Sequence, residues 1–125
     1  MEWLDSIKLK LMEHQIIINQ ISEKYKLESI KIYGYVLKNC VGATNDVNFL
    51  IDKKFDNMFT QFDFEDVDRI MLKNELINLL NLDIGVNTIN TLENSLPLYC
   101  IGTDLKEKIL EACIDFNDFI NNNAR

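Results

Sequence analysis

Residues 29–51 read SIKIYGYVLKNCVGATNDVNFLI, and the fold turns on how this stretch is divided. Its two ends alternate with a period of two, the spacing at which side chains of an extended chain return to the same face. Ser29 to Tyr35, with Ile30, Ile32 and the aromatic pair Tyr33 and Tyr35, predicts one strand. Asp46 to Ile51 predicts a second, with Val47, Phe49 and Ile51 on one face and Asn48 and Leu50 on the other. Gly34 ends the first strand, Val36 to Asn45 holds a short helix or turn, and the two strands are close enough in sequence to pair.

Working outward, the first 25 or so residues predict one long amphipathic helix. Leu4, Ile7, Leu11, Ile18, Ile21 and Tyr25 recur at steps of three and four around His14. Leu9, Met12, Ile16 and Ile17 widen the apolar surface beyond that stripe, so either the domain itself or a partner chain covers it. His14 lies in line with the stripe as a packed or edge-exposed imidazole, with no second histidine to share a metal.

Downstream, 52–61 reads as polar and irregular. A helix is expected from Asp63, which can cap it, with Glu65, Asp66 and Asp68 at its positive end and Val67, Ile70, Met71, Asn74, Ile77 and Leu80 on the helical period. A third strand is expected over 82–88, carrying Asp83. A loop with Pro97 follows over 90–99. The last helix starts near Asp104, which stands at capping-box spacing from Glu107, and buries Leu105, Ile109, Ala112 and Phe116. Residues 117–125 read as a polar, fraying tail after a single domain over 1–116.

Composition narrows the function classes. A chain of 125 residues suits one domain, and a hydrophobic fraction of 47% with 26% charged residues is ordinary for a soluble protein. No apolar run approaches the roughly 18 residues of a membrane span, and the N-terminus lacks a signal-peptide pattern. Cys40, Cys100 and Cys113 form no CxxC pair, so reduced thiols in a cytoplasm are the expected state. A net charge of −7 disfavours direct nucleic-acid binding, which rests on Lys and Arg, and suits either a basic or mixed-charge protein partner or simple solubility.

Gly34-Tyr35, ten intervening residues, Asp46-Val47-Asn48, and then Asp83 in a later apolar run form the chain's most specific pattern. This pattern resembles the minimal nucleotidyltransferase family of the polymerase-beta superfamily. The family signature is Gly-Ser, ten residues, Asp-x-Asp on the next strand and a third Asp on a later one. The resemblance runs from about Ser29 to Phe116. It implies an α/β fold with a small mixed β-sheet flanked by helices, in the order helix, strand, helix, strand, helix, strand, helix.

Such enzymes use two divalent metals about 3.5 to 4 Å apart to hold a triphosphate and neutralise the transition state. Carboxylates must therefore converge, and i, i+2 positions on a strand share a face. The resemblance implies Asp46, Asn48 and Asp83 as the catalytic and metal-ligating triad, and Gly34, Tyr35 and Lys38 as nucleotide-binding positions, with Mg²⁺ and ATP as cofactors bound weakly or not at all.

Four departures separate this chain from the signature. Asn48 offers a carbonyl oxygen but no charge, and Tyr35 puts a phenol where a small hydroxyl meets phosphate. Asn39 replaces a glycine and Asn45 a serine, while Lys38 keeps the basic character of its position. Family members of this size resemble antitoxins paired with a helical HEPN ribonuclease toxin. The resemblance thus implies either a partner-binding, antitoxin-like protein with impaired catalysis, or an active transferase moving AMP from ATP to its protein partner. A small α/β domain unrelated to nucleotide chemistry is the third reading, and it would not bring Asp46, Asn48 and Asp83 together.

Overall fold

The computed structural model describes residues 2–34, 45–53, 67–88 and 105–123. Among these lie five helices and four strands: α1 (Glu2–Glu13), α2 (Gln15–Lys24), β1 (Leu27–Tyr33), β2 (Val47–Lys53), α3 (Arg69–Leu80), β3 (Ile84–Asn87), α4 (Leu105–Ala112), β4 (Ile114–Asp115) and α5 (Phe116–Asn123). The expected small mixed sheet flanked by helices is the fold observed.

Alternation within 29–51 places both strands as expected. Ile30 and Ile32 of β1 face the same side as Val47, Phe49 and Ile51 of β2, and β1 and β2 pair antiparallel with Ile32 opposite Phe49 and Tyr33 opposite Asn48. β3 then adds parallel to β2, Asn48 standing opposite Gly85 and Leu50 opposite Asn87. A parallel neighbour requires a crossover, which α3 supplies. β4 pairs with the free edge of β1, giving the order β3-β2-β1-β4. This two-residue edge strand carried no period of its own and was not expected.

One face of the sheet carries most of the core. Ile7 and Leu11 of α1, Ile18 and Ile21 of α2, Leu72, Leu76 and Leu80 of α3, and Phe116, Phe119 and Ile120 of α5 pack there. Phe49 and Phe116 meet with ring centroids 6.3 Å apart, a tilted aromatic pair. The opposite face holds a smaller cluster of Tyr33, Leu50 and Ile109, with Cys113 against it.

Several expectations are corrected. The N-terminal helix is interrupted at His14, whose ring Nδ1 lies 2.7 Å from the Lys10 carbonyl. The side chain thereby satisfies a backbone acceptor one turn back while the chain re-enters a helix at Gln15. The buried face of α3 is Leu72, Leu76 and Leu80, whereas Val67, Ile70 and Met71 are about half exposed. Leu80 and, in part, Ile77 fall where the period placed them, while apolar residues on several sides of this helix let packing on the sheet bury Leu72 and Leu76 in place of Ile70 and Met71. β1 starts and ends two residues earlier than expected, and Asp46 and Asp83 stand one residue before β2 and β3 instead of inside them.

The C-terminal residues do not form a fraying tail: Phe116–Asn123 is a helix that buries Phe119 and Ile120. Its Asn117 side chain accepts from Gln15 and Asn19 of α2 at 2.9 Å each, which docks α5 on the N-terminal helices. Phe116 accordingly opens α5 instead of ending the preceding helix. Tyr35, Lys38, Asn39, Cys40, Asp63, Glu65, Asp66, Pro97, Cys100 and Asp104, with all but the last residue of the short helix or turn expected over 36–45, lie outside the described residues.

Candidate functional site

β1 delivers Gly34 at its C-terminal end, beside the N-terminal ends of β2 and β3. Gly34 has φ 97°, in the region where a Cβ is strained, so glycine is the residue this exit from the strand requires. β2 and β3 are parallel, so their two starts fall side by side, and the residues just before them, Asp46 and Asp83, become neighbours. The ladder continues to that point: Val47 N–H donates to the Asp83 carbonyl at 3.2 Å. Asp83 N–H in turn donates to Asp46 Oδ2 at 3.3 Å.

Asn48 follows Asp46 by two residues and faces the same side of the sheet as Tyr33 and Gly85, its cross-strand neighbours. Its side chain is wholly buried, and Nδ2 donates to the Asn45 carbonyl at 3.2 Å. Asn45 Nδ2 donates to Asp83 Oδ1 at 2.8 Å. The structure thus brings Asp46, Asn48 and Asp83 together with Gly34 close by. Of the residues expected at a nucleotide site, Tyr35 and Lys38 fall outside the described residues.

Sequence reasoning passed over Gly85. A Cβ there would lie 2.5 Å from Asn45 Oδ1 and 2.9 Å from Asn48 Oδ1, so two amide oxygens occupy the space above this glycine. A glycine inside a strand is the available signal, because it marks a close approach by another group. Further along the same face, Asn87 Nδ2 donates to the Tyr33 hydroxyl at 3.2 Å. Burial pushes the Tyr33 phenol above its ordinary pKa, against the opposing effect of that hydrogen bond.

The donor set can be weighed against the metals that the sequence pattern implies. Mg²⁺ in nucleotide sites is held by one or two carboxylates, with phosphates and water completing its shell. Asp46 and Asp83 would supply the two carboxylates for one such ion. A pair of ions would need more negative charge, and Asn48, where the sequence pattern implies a third ligand, presents a neutral amide turned toward a backbone carbonyl. Among the described residues no three His, Cys, Asp or Glu side chains gather where they could hold a metal.

The chain is 31% identical over 105 residues to a Methanocaldococcus jannaschii protein named "Putative protein adenylyltransferase", a match that spans 84% of this chain and 97% of that relative. No family model matches the chain, and no solved structure does.

Proposed function

Because this chain belongs to the nucleotidyltransferase family, we propose that it is a nucleotidyltransferase-fold protein with impaired or absent catalysis, which acts chiefly by binding a helical protein partner. A toxin of the HEPN ribonuclease type, with this chain as the antitoxin, is the partner class that the sequence pattern suggests. The observation that carries this reading is the Asn48 amide, buried and bonded to the Asn45 carbonyl where the signature has a metal-binding carboxylate. Removing one of three anions weakens attraction for a cation pair far more than for a single ion.

The protein-binding half of the reading is supported by Leu9, Ile16 and Ile17 on α1 and α2. All three are exposed, Ile16 by 74%. No helix among the described residues is long and apolar enough to cross a membrane, so these side chains do not belong to a span.

A second reading is favoured by the relative's name and by the neighbouring Asp46 and Asp83. In it the two carboxylates hold one Mg²⁺, Asn48 assists, Lys38 steadies phosphate, and the chain moves AMP from ATP to its protein partner. Titration calorimetry with ATP and Mg²⁺ separates the two. Weak or absent metal-dependent binding is expected on the first reading, and micromolar binding supports the second. Incubation of the chain and its partner with labelled ATP completes the comparison, because stoichiometric label on the partner that disappears in Asp46→Ala would overturn the first reading.

A further inference from the structure

Asn45 stands two residues before β2 and holds three parts of the site at once. Its side-chain Nδ2 donates to Asp83 Oδ1 at 2.8 Å, and its backbone carbonyl accepts from Asn48 Nδ2 at 3.2 Å. Its Oδ1 fills the space that a Cβ on Gly85 would enter. The Asp83 side chain is exposed, and an exposed carboxylate samples several rotamers unless a partner fixes it. An amide N–H is well suited to that task. It orients one carboxylate oxygen without bringing the positive charge with which Lys or Arg would offset the pull on a cation.

We infer that Asn45 is the positioning residue of the Asp83 carboxylate, whose backbone N–H in turn holds Asp46, and that position 85 is glycine because the Asn45 amide lies over it. The same contact sets the orientation of Asn48. With Nδ2 against the Asn45 carbonyl, Asn48 Oδ1 is turned over Gly85, 2.9 Å from where a Cβ would stand. The reverse orientation would set two oxygens against each other. Asn45 therefore couples the acidic side of the site to the amide that replaces its third acid. This inference deepens the reading of Asp46 and Asp83 as a nucleotide-metal site and rests on it.

Two double-mutant cycles by urea unfolding on the full chain, in the absence of metal, test the geometry. Gly85→Ala should lower the midpoint strongly, and Asn45→Ser, which shortens the side chain, should at least halve that loss when the two are combined. Asn45→Ala should cost less in an Asp83→Ala background than in the wild type. Where Gly85→Ala does not fold, the Asn45 and Asp83 cycle decides. Additive losses in the deciding cycle overturn the inference.

Mn²⁺ binding followed by electron paramagnetic resonance separates positioning from mere packing. Loss of a residue that orients a metal ligand weakens affinity by about tenfold or more. That loss is expected in Asn45→Ala with its circular dichroism unchanged. Coupled cycles with Mn²⁺ affinity unchanged in Asn45→Ala overturn the positioning role. Coupled cycles with no Mn²⁺ bound by the wild type support Asn45 as the group that orients Asp83, and sink the metal reading instead.

Discussion

Asn48→Asp restores the signature residue with almost no change in shape, so its effect isolates the electrostatics of the site. Position 48 is 0% exposed, and its Nδ2 donates to the Asn45 carbonyl at 3.2 Å. A carboxylate there removes that donor and sets an oxygen against the carbonyl oxygen, in a buried position beside Asp46 and Asp83. An unmade buried hydrogen bond costs about 1 to 3 kcal/mol, and burial of charge adds to it, so a loss of about 3 kcal/mol is expected without metal. At a urea slope of about 1.5 kcal/mol per molar, the unfolding midpoint falls by about 2 M.

Magnesium gives the second arm of the assay. If the substitution completes a three-anion site, ion at about 100 times its dissociation constant returns about 2.7 kcal/mol and nearly cancels the loss. A midpoint that moves by less than about 0.5 M without metal would refute the packing of Asn48 against Asn45 as the reason an amide stands there. A full loss that magnesium does not reduce would refute the assignment of Asp46 and Asp83 as its fellow ligands.

Three further outcomes are expected. Leu76→Ala, at a fully buried position of α3, should cost about 3 kcal/mol by urea unfolding, whereas Met71→Ala on the exposed side of the same helix should change stability by no more than about 0.5 kcal/mol. Ile16→Lys should likewise leave the thermal midpoint nearly unchanged while abolishing association with the protein partner in calorimetry; unchanged affinity would remove α2 from the interface.

Glu75 accepts from Lys24 at 2.9 Å and from the Tyr25 hydroxyl, and these contacts, Lys24 foremost, hold its carboxyl below the usual range. Its contribution is present above the ordinary carboxylate pKa and is lost as pH falls through the depressed one. Tyr25 moves the other way: burial, then the Glu75 bond, pushes its phenol up to about 12, so its contribution is complete below about 10 and lost as pH rises through about 12. Glu75→Gln should flatten the acid limb of the stability profile by no more than about 1 kcal/mol, because Lys24 is 61% exposed. It should also bring the Tyr25 titration, followed by tyrosinate absorbance, back toward the ordinary value. An unchanged titration would exclude the Glu75 contact as a cause.

Alternation in 29–51 was enough to give both central strands, their facing, and the shared side of Asp46 and Asn48, because period two survives any tertiary context that buries one face. Helical periodicity is weaker where apolar residues surround the axis. In α3 the expected stripe holds at Ile77 and Leu80 but not at Ile70 and Met71, because Leu72 and Leu76 turn to the sheet instead. The interruption at His14 leaves no periodic trace, whereas the helix over 116–123 does leave one in the spacing of Phe116, Phe119 and Ile120, too short among its asparagines to stand out before Asn117 docks it on Gln15 and Asn19.

The candidate site divides in the same way. Asp46 and Asp83 were singled out by the resemblance, and they stand side by side because β2 and β3 start in parallel. What orients Asp83 was not legible, because Asn45 reaches a partner 38 residues away and meets a glycine whose role appears only when an amide is found above it. Asn45 and Asn48 looked like two separate departures from a catalytic pattern, yet they are bonded to each other. The bond runs from the Asn48 amide to the Asn45 main-chain carbonyl, which any residue at 45 would offer, so it is the return of a carboxylate at 48 that leaves this carbonyl facing an oxygen, and catalytic charge is restored there only with loss of stability.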